Sequence, residues 1–531
     1  MANFQLKAII FLSTLLIVES NTNAGDASID KRRLKILLNN PVLGYSHMQF
    51  QGKLADLLVE AGHEVHVLMF EQNPLLGHYN GTHKAQKVIR VARSPETKDD
   101  MLKMPQPLLR ELAKEKYDVG ITEAYDPCMF GIFHTLGVKT TMSTFAIQMT
   151  SWAGAPFGVP SIPSFMINYY APTVSGVNMN FWERISTFYN YILEDIYVKE
   201  GLYQRLQPVF NSVYGPNFPS LKFLHKNSSL CFVNGNEFFE LPKPTSNKII
   251  YIGGIASDIF EKPSPKKVAL SPEIQSIFDN TKDGVVLFSF GTITDTKVMT
   301  KEMKTAFLKA FGRFPTYDFV WKIERNANDS EIFSLAPNVH TFEWLNQRAI
   351  LAQPKLKAFI THCGLNSMNE AASEGVPVVG IPLFGDQLFN AATIPHKKMG
   401  VYVDILDLHS ENYGSKTMID ALEKVLHQPE YSQNAKLVQK KVRNMPFKPK
   451  EKFVKWVEFA AEFPDLNELN LPTSDDMSLF VYYSLDVISF SIIVLLALLV
   501  LTVRLSRTLF RLLAKCDHLF ISNVSKVKKI E

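Results

Sequence analysis

Cysteine is scarce in this chain: 531 residues hold four, at positions 128, 231, 363 and 516. The last lies beyond a long apolar run, so three remain for the body, and an odd, sparse set excludes a disulfide framework. Net charge is also nearly missing. The formal total is +4, but residues 504–531 carry seven Lys and Arg against Asp517 and Glu531, which leaves the rest close to neutral. Nothing marks a nucleic-acid surface. Neither candidate first strand is followed by G-x-G-x-x-G, which disfavours a nicotinamide enzyme. No metal-ligand constellation stands out: His63 and His66 flank Glu64, but three places apart on a strand they point to opposite faces. Asp99 and Asp100 read as a solvated loop.

A length of 531 residues exceeds a single hydrophobic core, which stops growing near about 250 to 300 residues, so two similar domains are expected. The two ends are apolar. Lys7 precedes the run AIIFLSTLLIV and a small-residue site at Thr22 and Ala24, the pattern of a secretory signal peptide over residues 1–24. Residues 487–503 are uncharged, and Tyr482 and Tyr483 extend them to spanning length, so a membrane helix is expected at 482–503. Arg504, Arg507, Arg511 and Lys515 follow it, whereas Asp465, Glu468, Asp475 and Asp476 precede it. By the positive-inside rule the tail 504–531 is cytosolic and the bulk of the chain lumenal, a single-pass type I arrangement. Lys528 and Lys529 stand four and three places from the end in KKIE and resemble a dilysine retrieval signal, an address for the endoplasmic reticulum membrane. Sequons at Asn80, Asn227 and Asn328 would then face the glycosylation machinery, and Asn523 would not.

The body divides into two α/β halves. Residues 34–38 read as a strand, 49–61 as a helix stopped by Gly62, and 64–70 as the next strand, a βαβ unit. A second series follows: strand 285–290, helix 301–311, strands 318–323 and 358–361, a helix from Asn366, and strand 378–381. Pro242, Pro244, Pro263, Pro265 and Pro272 crowd residues 240–272, as in a linker. The expected domains are 25–250, a linker at 251–280, 281–450, and a return helix with juxtamembrane segment at 451–481. Ligands of open α/β sheets bind beyond the carboxyl ends of the strands, so the cleft between the halves is the expected site.

The segment from Trp344 to Asn390 is the most informative. The strand KAFIT leads through His362-Cys363-Gly364 into a helix near Asn366. A strand that turns tightly into a helix presents unpaired N–H groups and a positive dipole end, suited to a diphosphate. Asn366 and Ser367 are equally suited to capping that helix. Glu370, one turn further, can offer two oxygens to a ribose diol. The strand 378–381 delivers Asp386 and Gln387, suited to sugar hydroxyls. Trp344 ahead of Gln347 offers an indole to a base, and Gly291-Thr292 after the strand 285–290 offer close backbone approach and a hydroxyl.

WLNQ followed by FITHCGLNSMNEAASEGVPVVGIPLFGDQLFNA resembles the signature of UDP-glycosyltransferases, including UDP-glucuronosyltransferases. SHMQF, GHEVHVL, YIGG, KFVKWVEFAA and YYSLDVISF are similar to the same family, so the resemblance covers nearly the whole chain. It implies a GT-B fold with the donor domain second. It also implies that Trp344 stacks on uracil, that His362 and the following amides, Gly364 among them, hold the diphosphate, that Glu370 takes the ribose, and that Asp386 with Gln387 grips the sugar. One departure is Asn346 in WLNQ, where the family commonly has proline. His47 in SHMQF matches the family's catalytic histidine, placed in the loop after the first strand. Its carboxylate partner falls in KYDVGITEAYDPC, at Glu123, with Asp126 as the rival. No cofactor or metal is implied, the UDP-sugar being a co-substrate. In-line attack would invert the anomeric centre.

Residues 145–192 are rich in aromatic side chains, among them Phe145, Trp152, Phe157, Tyr169, Trp182 and Tyr189. They suit an apolar acceptor pocket, a membrane-skimming surface or ordinary core. The expected reaction is transfer of glucuronate or glucose from a UDP-sugar to a hydroxyl of a small lipophilic acceptor. The alternatives are a sphingolipid-directed UDP-galactose transferase, a non-catalytic UDP-sugar-binding partner in an oligomer, and a GT-B epimerase, which the C-terminal span disfavours.

Overall fold

The computed structural model describes residues 32–527 except 43, 72–75, 93–103, 126, 171, 174, 257–268, 293, 327–328 and 474–475. The expected signal peptide at 1–24, Asp99, Asp100, Asp126, Asn328 and the terminal KKIE lie outside the described residues.

Two parallel sheets organise the chain. The first contains β1 (Lys35–Asn39), β2 (Glu64–Phe70), β3 (Lys87–Val91), β4 (Val119–Glu123), β5 (Thr140–Phe145), β6 (Leu230–Val233) and β7 (Ile249–Tyr251), in the spatial order β3-β2-β1-β4-β5-β6-β7. The second contains β8 (Gly284–Ser289), β9 (Tyr317–Lys322), β10 (Val339–Phe342), β11 (Leu356–Thr361), β12 (Val378–Gly380) and β13 (Gly400–Tyr402), in the order β10-β9-β8-β11-β12-β13. Central strands such as β4 and β8 are buried along their whole length. Helices cover both faces, which is why β8 reads as an almost continuous apolar run instead of an alternating one. Leu38, Ile121 and Met142 pack on one face of the first sheet, and Leu37, Leu68 and Phe133 on the other. In the second sheet Phe288 stacks on Trp321 with ring centroids 4.7 Å apart.

Each sheet reverses its strand order once, between β1 and β4 in the first and between β8 and β11 in the second. A doubly wound sheet opens a crevice at that point, beyond the carboxyl ends of the strands.

The helices that matter here are few. α1 (Tyr45–Glu60) follows β1 and begins four residues before the expected 49, so His47 sits in its first turn and not in a loop. α2 (Phe181–Glu194) starts with a capping box between Asn180 and Glu183 and runs through a π-helical turn, Asp195–Glu200, into α3 (Gly201–Tyr214). In the second half α4 is Gln347–Leu351, α5 is Leu365–Glu374 and α6 is Asp386–Ala391. α7 (Pro449–Glu462) returns to the first sheet, where Phe453, Val457 and Ala460 are wholly buried in its core and the Phe453 ring meets Phe232 at 4.9 Å. α8 (Leu485–Val527) ends the described chain, and its stretch Leu485–Leu513 is long and apolar enough to cross a membrane.

The chain after α7 is fastened to the first domain. Ser229 Oγ donates to Pro464 O at 2.6 Å, Ser246 Oγ to Leu469 O at 3.0 Å, and Leu471 N to Phe157 O at 3.1 Å. Lys248, wholly buried, donates its ammonium to Ser228 O at 2.9 Å and to Asn467 Oδ1 at 3.1 Å. Burial lowers its pKa to about 8.

Candidate active site

His47 and Glu123 come from the two strands that flank the first crevice, through α1 after β1 and through the last residue of β4. Nδ1 of His47 is 2.8 Å from Oε1 of Glu123, which also accepts from Ala146 N at 3.0 Å. Glu123 is fully buried. Burial pushes the His47 pKa down, but the charge and hydrogen bond of Glu123 and the charge of Asp386 outweigh it, and the net shift is upward. A carboxylate on one ring nitrogen leaves Nε2 as the basic atom and stabilises the imidazolium that forms there.

The second crevice brings together the ends of β8 and β11. β11 leaves through Cys363, which is in the left-handed region with φ 64°, a conformation costly outside glycine and tolerated mainly at functional turns. Gly364, not Asn366 or Ser367, is the N-cap of α5, and no side chain caps the helix. The expected capping role of Asn366 and Ser367 is therefore not taken up. Both lie in the first turn, where Asn366 Oδ1 accepts from Asn234 Nδ2 of the first domain at 3.3 Å and Ser367 Oγ accepts from Gln347 Nε2 at 3.0 Å. An uncapped helix N-terminus leaves its N–H groups to a ligand.

His362 is packed between two glycines. A Cβ on Gly291 (φ 79°) or on Gly364 would stand 2.7 Å from His362 Nε2, so a side chain at either position would push the imidazole out of place. Burial and the nearby Lys322 ammonium push the His362 pKa down to about 4, so the ring is neutral at physiological pH. Thr292 beside Gly291 is exposed toward solvent. Lys322 donates to Gly291 O at 2.8 Å, and its ammonium lies 4.7 Å from the Trp344 ring centroid. Trp344 is 70% exposed, so it is not core. Gln347 Nε2 also donates to Glu370 Oε2 at 2.7 Å. Asn346, the departure in WLNQ, accepts from Ala349 N at 3.2 Å and caps α4, so its side chain stiffens the loop where a proline ring would.

Asp386 opens α6 and accepts from Asn390 Nδ2 at 2.7 Å. Burial raises its carboxyl pKa, while Asn390 and His47 act against that rise. Gln387 Oε1 accepts from Leu383 N at 2.9 Å and from Phe384 N at 3.2 Å, so its carbonyl oxygen shapes the loop and only its amide nitrogen remains for a ligand.

Tyr125 stands edge-on to His47 with centroids 5.6 Å apart and to Trp152 at 4.8 Å, which forms an aromatic wall beside His47. Phe145 and Phe157 are core. Gln148 was passed over in the sequence. It is 1% exposed, and neither of its side-chain polar atoms, nor Trp152 Nε1, has a partner among the described residues. A lone glutamine gives no such signal before its burial is known. His66 and Glu64, weighed in the sequence only alongside His63, come together instead with Glu115, which was not named there, their ligand atoms within 4.8 Å of one another. The Lys35 ammonium sits among them, 3.1 Å from Glu64 and paired with Glu115. Asn80 is exposed, while Asn227 Nδ2 donates to Phe223 O at 2.8 Å. Cys128, Cys231 and Cys363 are buried, and none forms a disulfide among the described residues.

Two doubly wound domains meeting over a cleft, with an uncapped helix end, an exposed indole and a histidine–carboxylate pair, are the architecture of a GT-B glycosyltransferase. The solved structure of a UDP-glucose:anthocyanidin 3-O-glucosyltransferase in complex with UDP aligns over 82% of this chain and 100% of its own, with TM-score 0.52 at 15% identity. The family described as UDP-glucoronosyl and UDP-glucosyl transferase matches residues 82–518, and the chain belongs to it. The Caenorhabditis elegans protein ugt-50 is 28% identical, with 86% of this chain and 92% of that protein covered. A Rattus norvegicus 2-hydroxyacylsphingosine 1-beta-galactosyltransferase is 26% identical, with 86% and 85% covered. The chain is thus a glycosyltransferase that uses a UDP-sugar donor.

Proposed function

We propose that the enzyme transfers glucuronate or glucose from its UDP-sugar to a hydroxyl of a small lipophilic acceptor, with inversion and without a metal ion or other cofactor, in the lumen of the endoplasmic reticulum. The observation that carries this reading is the His47–Glu123 pair at 2.8 Å facing Asp386 across the cleft. Trp344 stacks on uracil, Gln347 and Glu370 hold the ribose, and the amides that follow Gly364 together with Asn366, Ser367 and Thr292 hold the diphosphate. Asp386 and Gln387 take the sugar hydroxyls.

His47 Nε2 removes the acceptor's hydroxyl proton as its oxygen bonds to the anomeric carbon. The bond from that carbon to the diphosphate oxygen breaks, and UDP leaves with the electron pair. Glu123 stabilises the imidazolium, while neutral His362 donates a hydrogen bond to the leaving diphosphate. A correctly placed base is worth about 10²- to 10⁴-fold.

The wall of Tyr125 and Trp152 supports an apolar acceptor. A sphingolipid acceptor with UDP-galactose is the second reading, favoured by the match to the rat galactosyltransferase. Transfer assays in microsomes with labelled UDP-glucose, UDP-glucuronate and UDP-galactose against phenols, steroids and a sphingolipid, with His47→Ala alongside, separate these outcomes. Product lost in the variant supports the proposal. UDP binding without transfer to any acceptor overturns it.

A further inference from the structure

Asn234 follows β6 directly and is 1% exposed. Its backbone N–H continues the β5–β6 ladder by donating to Phe145 O at 2.8 Å. Its side chain reaches further. Oδ1 accepts from Gly254 N at 3.4 Å, which fixes the sense of the amide and leaves Nδ2 to donate twice. One bond goes to Ala146 O at 3.0 Å, and the other leaves the first domain and reaches Asn366 Oδ1 at 3.3 Å. Asn366 stands in the first turn of α5, the helix whose N-terminus no side chain caps.

Ala146 is the residue that holds the carboxylate beside His47. Its N–H donates to Glu123 Oε1 at 3.0 Å, the same oxygen that meets His47 Nδ1 at 2.8 Å. Glu123 Oε2 has no hydrogen-bond partner among the described residues, so the position of this buried carboxylate depends on one peptide and on His47 itself. Asn234 grips that peptide twice. Its backbone N–H bonds the carbonyl of the Phe145–Ala146 unit, and its side chain bonds the carbonyl of the next one. A line of hydrogen bonds, Asn366–Asn234–Ala146–Glu123–His47, therefore crosses from one domain to the other without a break. Buried bonds in such a line strengthen one another, and removing a central member leaves groups unpaired on both sides.

We propose that Asn234 is a positioning residue for the transfer reaction, aligning the His47–Glu123 pair when the helix end that carries Asn366 is seated against the first domain. The proposal rests on the reading of His47 as the base and of α5 as the diphosphate site. Asn366 gives its Oδ1 to Asn234 and keeps its Nδ2 for a phosphate oxygen, so the seating of the donor and the alignment of the base are coupled through one side chain.

The test uses the full chain in detergent, with UDP as the binding probe and, for transfer, the donor and acceptor that give product in the microsomal assay. Asn234→Leu keeps the size of the side chain and removes its hydrogen bonds. Its kcat is expected to fall about tenfold while the UDP Kd changes at most about threefold, the scale of one buried hydrogen bond lost away from the nucleotide. The acid limb of kcat/KM for the acceptor, at saturating donor, moves to lower pH as Glu123 loosens from His47. A purely structural residue would lower the thermal midpoint and leave that limb in place. Asn366→Ala cuts the line from the other side, and in the double variant kcat falls no further than in the worse single one. Losses that multiply, as independent residues give, overturn the proposal, and so does an Asn234→Leu enzyme with wild-type kcat and acid limb. If Asn234→Leu does not fold, Asn366→Ala decides alone: an acid limb that stays in place overturns the proposal. Wild-type enzyme that binds UDP and transfers nothing removes the base, and the proposal with it.

Discussion

Asp386 and His47 belong to different domains, yet each shifts the other's proton affinity. The Asp386 carboxylate helps raise the His47 pKa, and His47 in turn restrains the rise that burial imposes on Asp386. The proton affinity of His47 is therefore set from both walls of the cleft. A base must be neutral to accept a proton, so kcat/KM falls as pH drops through the His47 pKa, and that limb lies above the ordinary histidine value of about 6.5. Asp386→Asn removes a negative charge near the imidazolium, so the limb moves to lower pH. A pH profile of kcat/KM for both proteins checks this, whatever the variant's absolute rate.

Glu123→Gln keeps the shape of the pair and removes its charge. The imidazolium loses its main support, and kcat is expected to fall on the order of 10²- to 10⁴-fold, with UDP affinity unchanged. Stopped transfer assays and calorimetric UDP titration read the two quantities separately. Equal loss in both would show that Glu123 holds the fold and not the base.

The glycines around His362 give a sharper test of the donor site. Gly364→Ala places a methyl 2.7 Å from the His362 ring, so the ring must move away from the helix end, and UDP affinity falls at least about tenfold, the equivalent of one lost hydrogen bond to a charged group. Trp344→Ala removes the base platform, at a cost of about 1 to 3 kcal/mol in UDP binding. Both are read as UDP Kd. Trp344→Phe, which keeps a ring, recovers part of the loss.

Gln148 is buried with two unpartnered polar atoms. Leaving such groups unsatisfied costs about 1 to 3 kcal/mol. Gln148→Leu is expected to raise the thermal midpoint of the unliganded enzyme in detergent while raising KM for the acceptor. A lowered midpoint would mean that bound water already satisfies the amide.

Much of this was readable beforehand because the donor loop is contiguous: residues 344–390 hold Trp344, Gln347, His362, Glu370 and Asp386 within one run of the chain. The βαβ periodicity located β1, β2 and β8 to within a residue or so. The start of α1 was misjudged because Tyr45 and His47 are weak helix formers, and tertiary packing of Met48 and Phe50 decides the matter. The N-cap of α5 was misread for a related reason: Asn366 and Ser367 carry good capping side chains, but the turn at Cys363 starts the helix at Leu365 before they can act. Gln148, the Lys322–Trp344 contact and the docking of α7 depend on elements far apart in sequence, and no local pattern encodes them.

That docking has a mechanical consequence. Because α7 is built into the core of the first domain, α8, which follows it, is an extension of the half that carries His47, and the half that carries Trp344 is a length of chain inserted between two crossings. In any opening of the cleft the half carrying His47 therefore stays with α8, as a stator, and the half carrying Trp344 and His362 moves relative to both, as a lever.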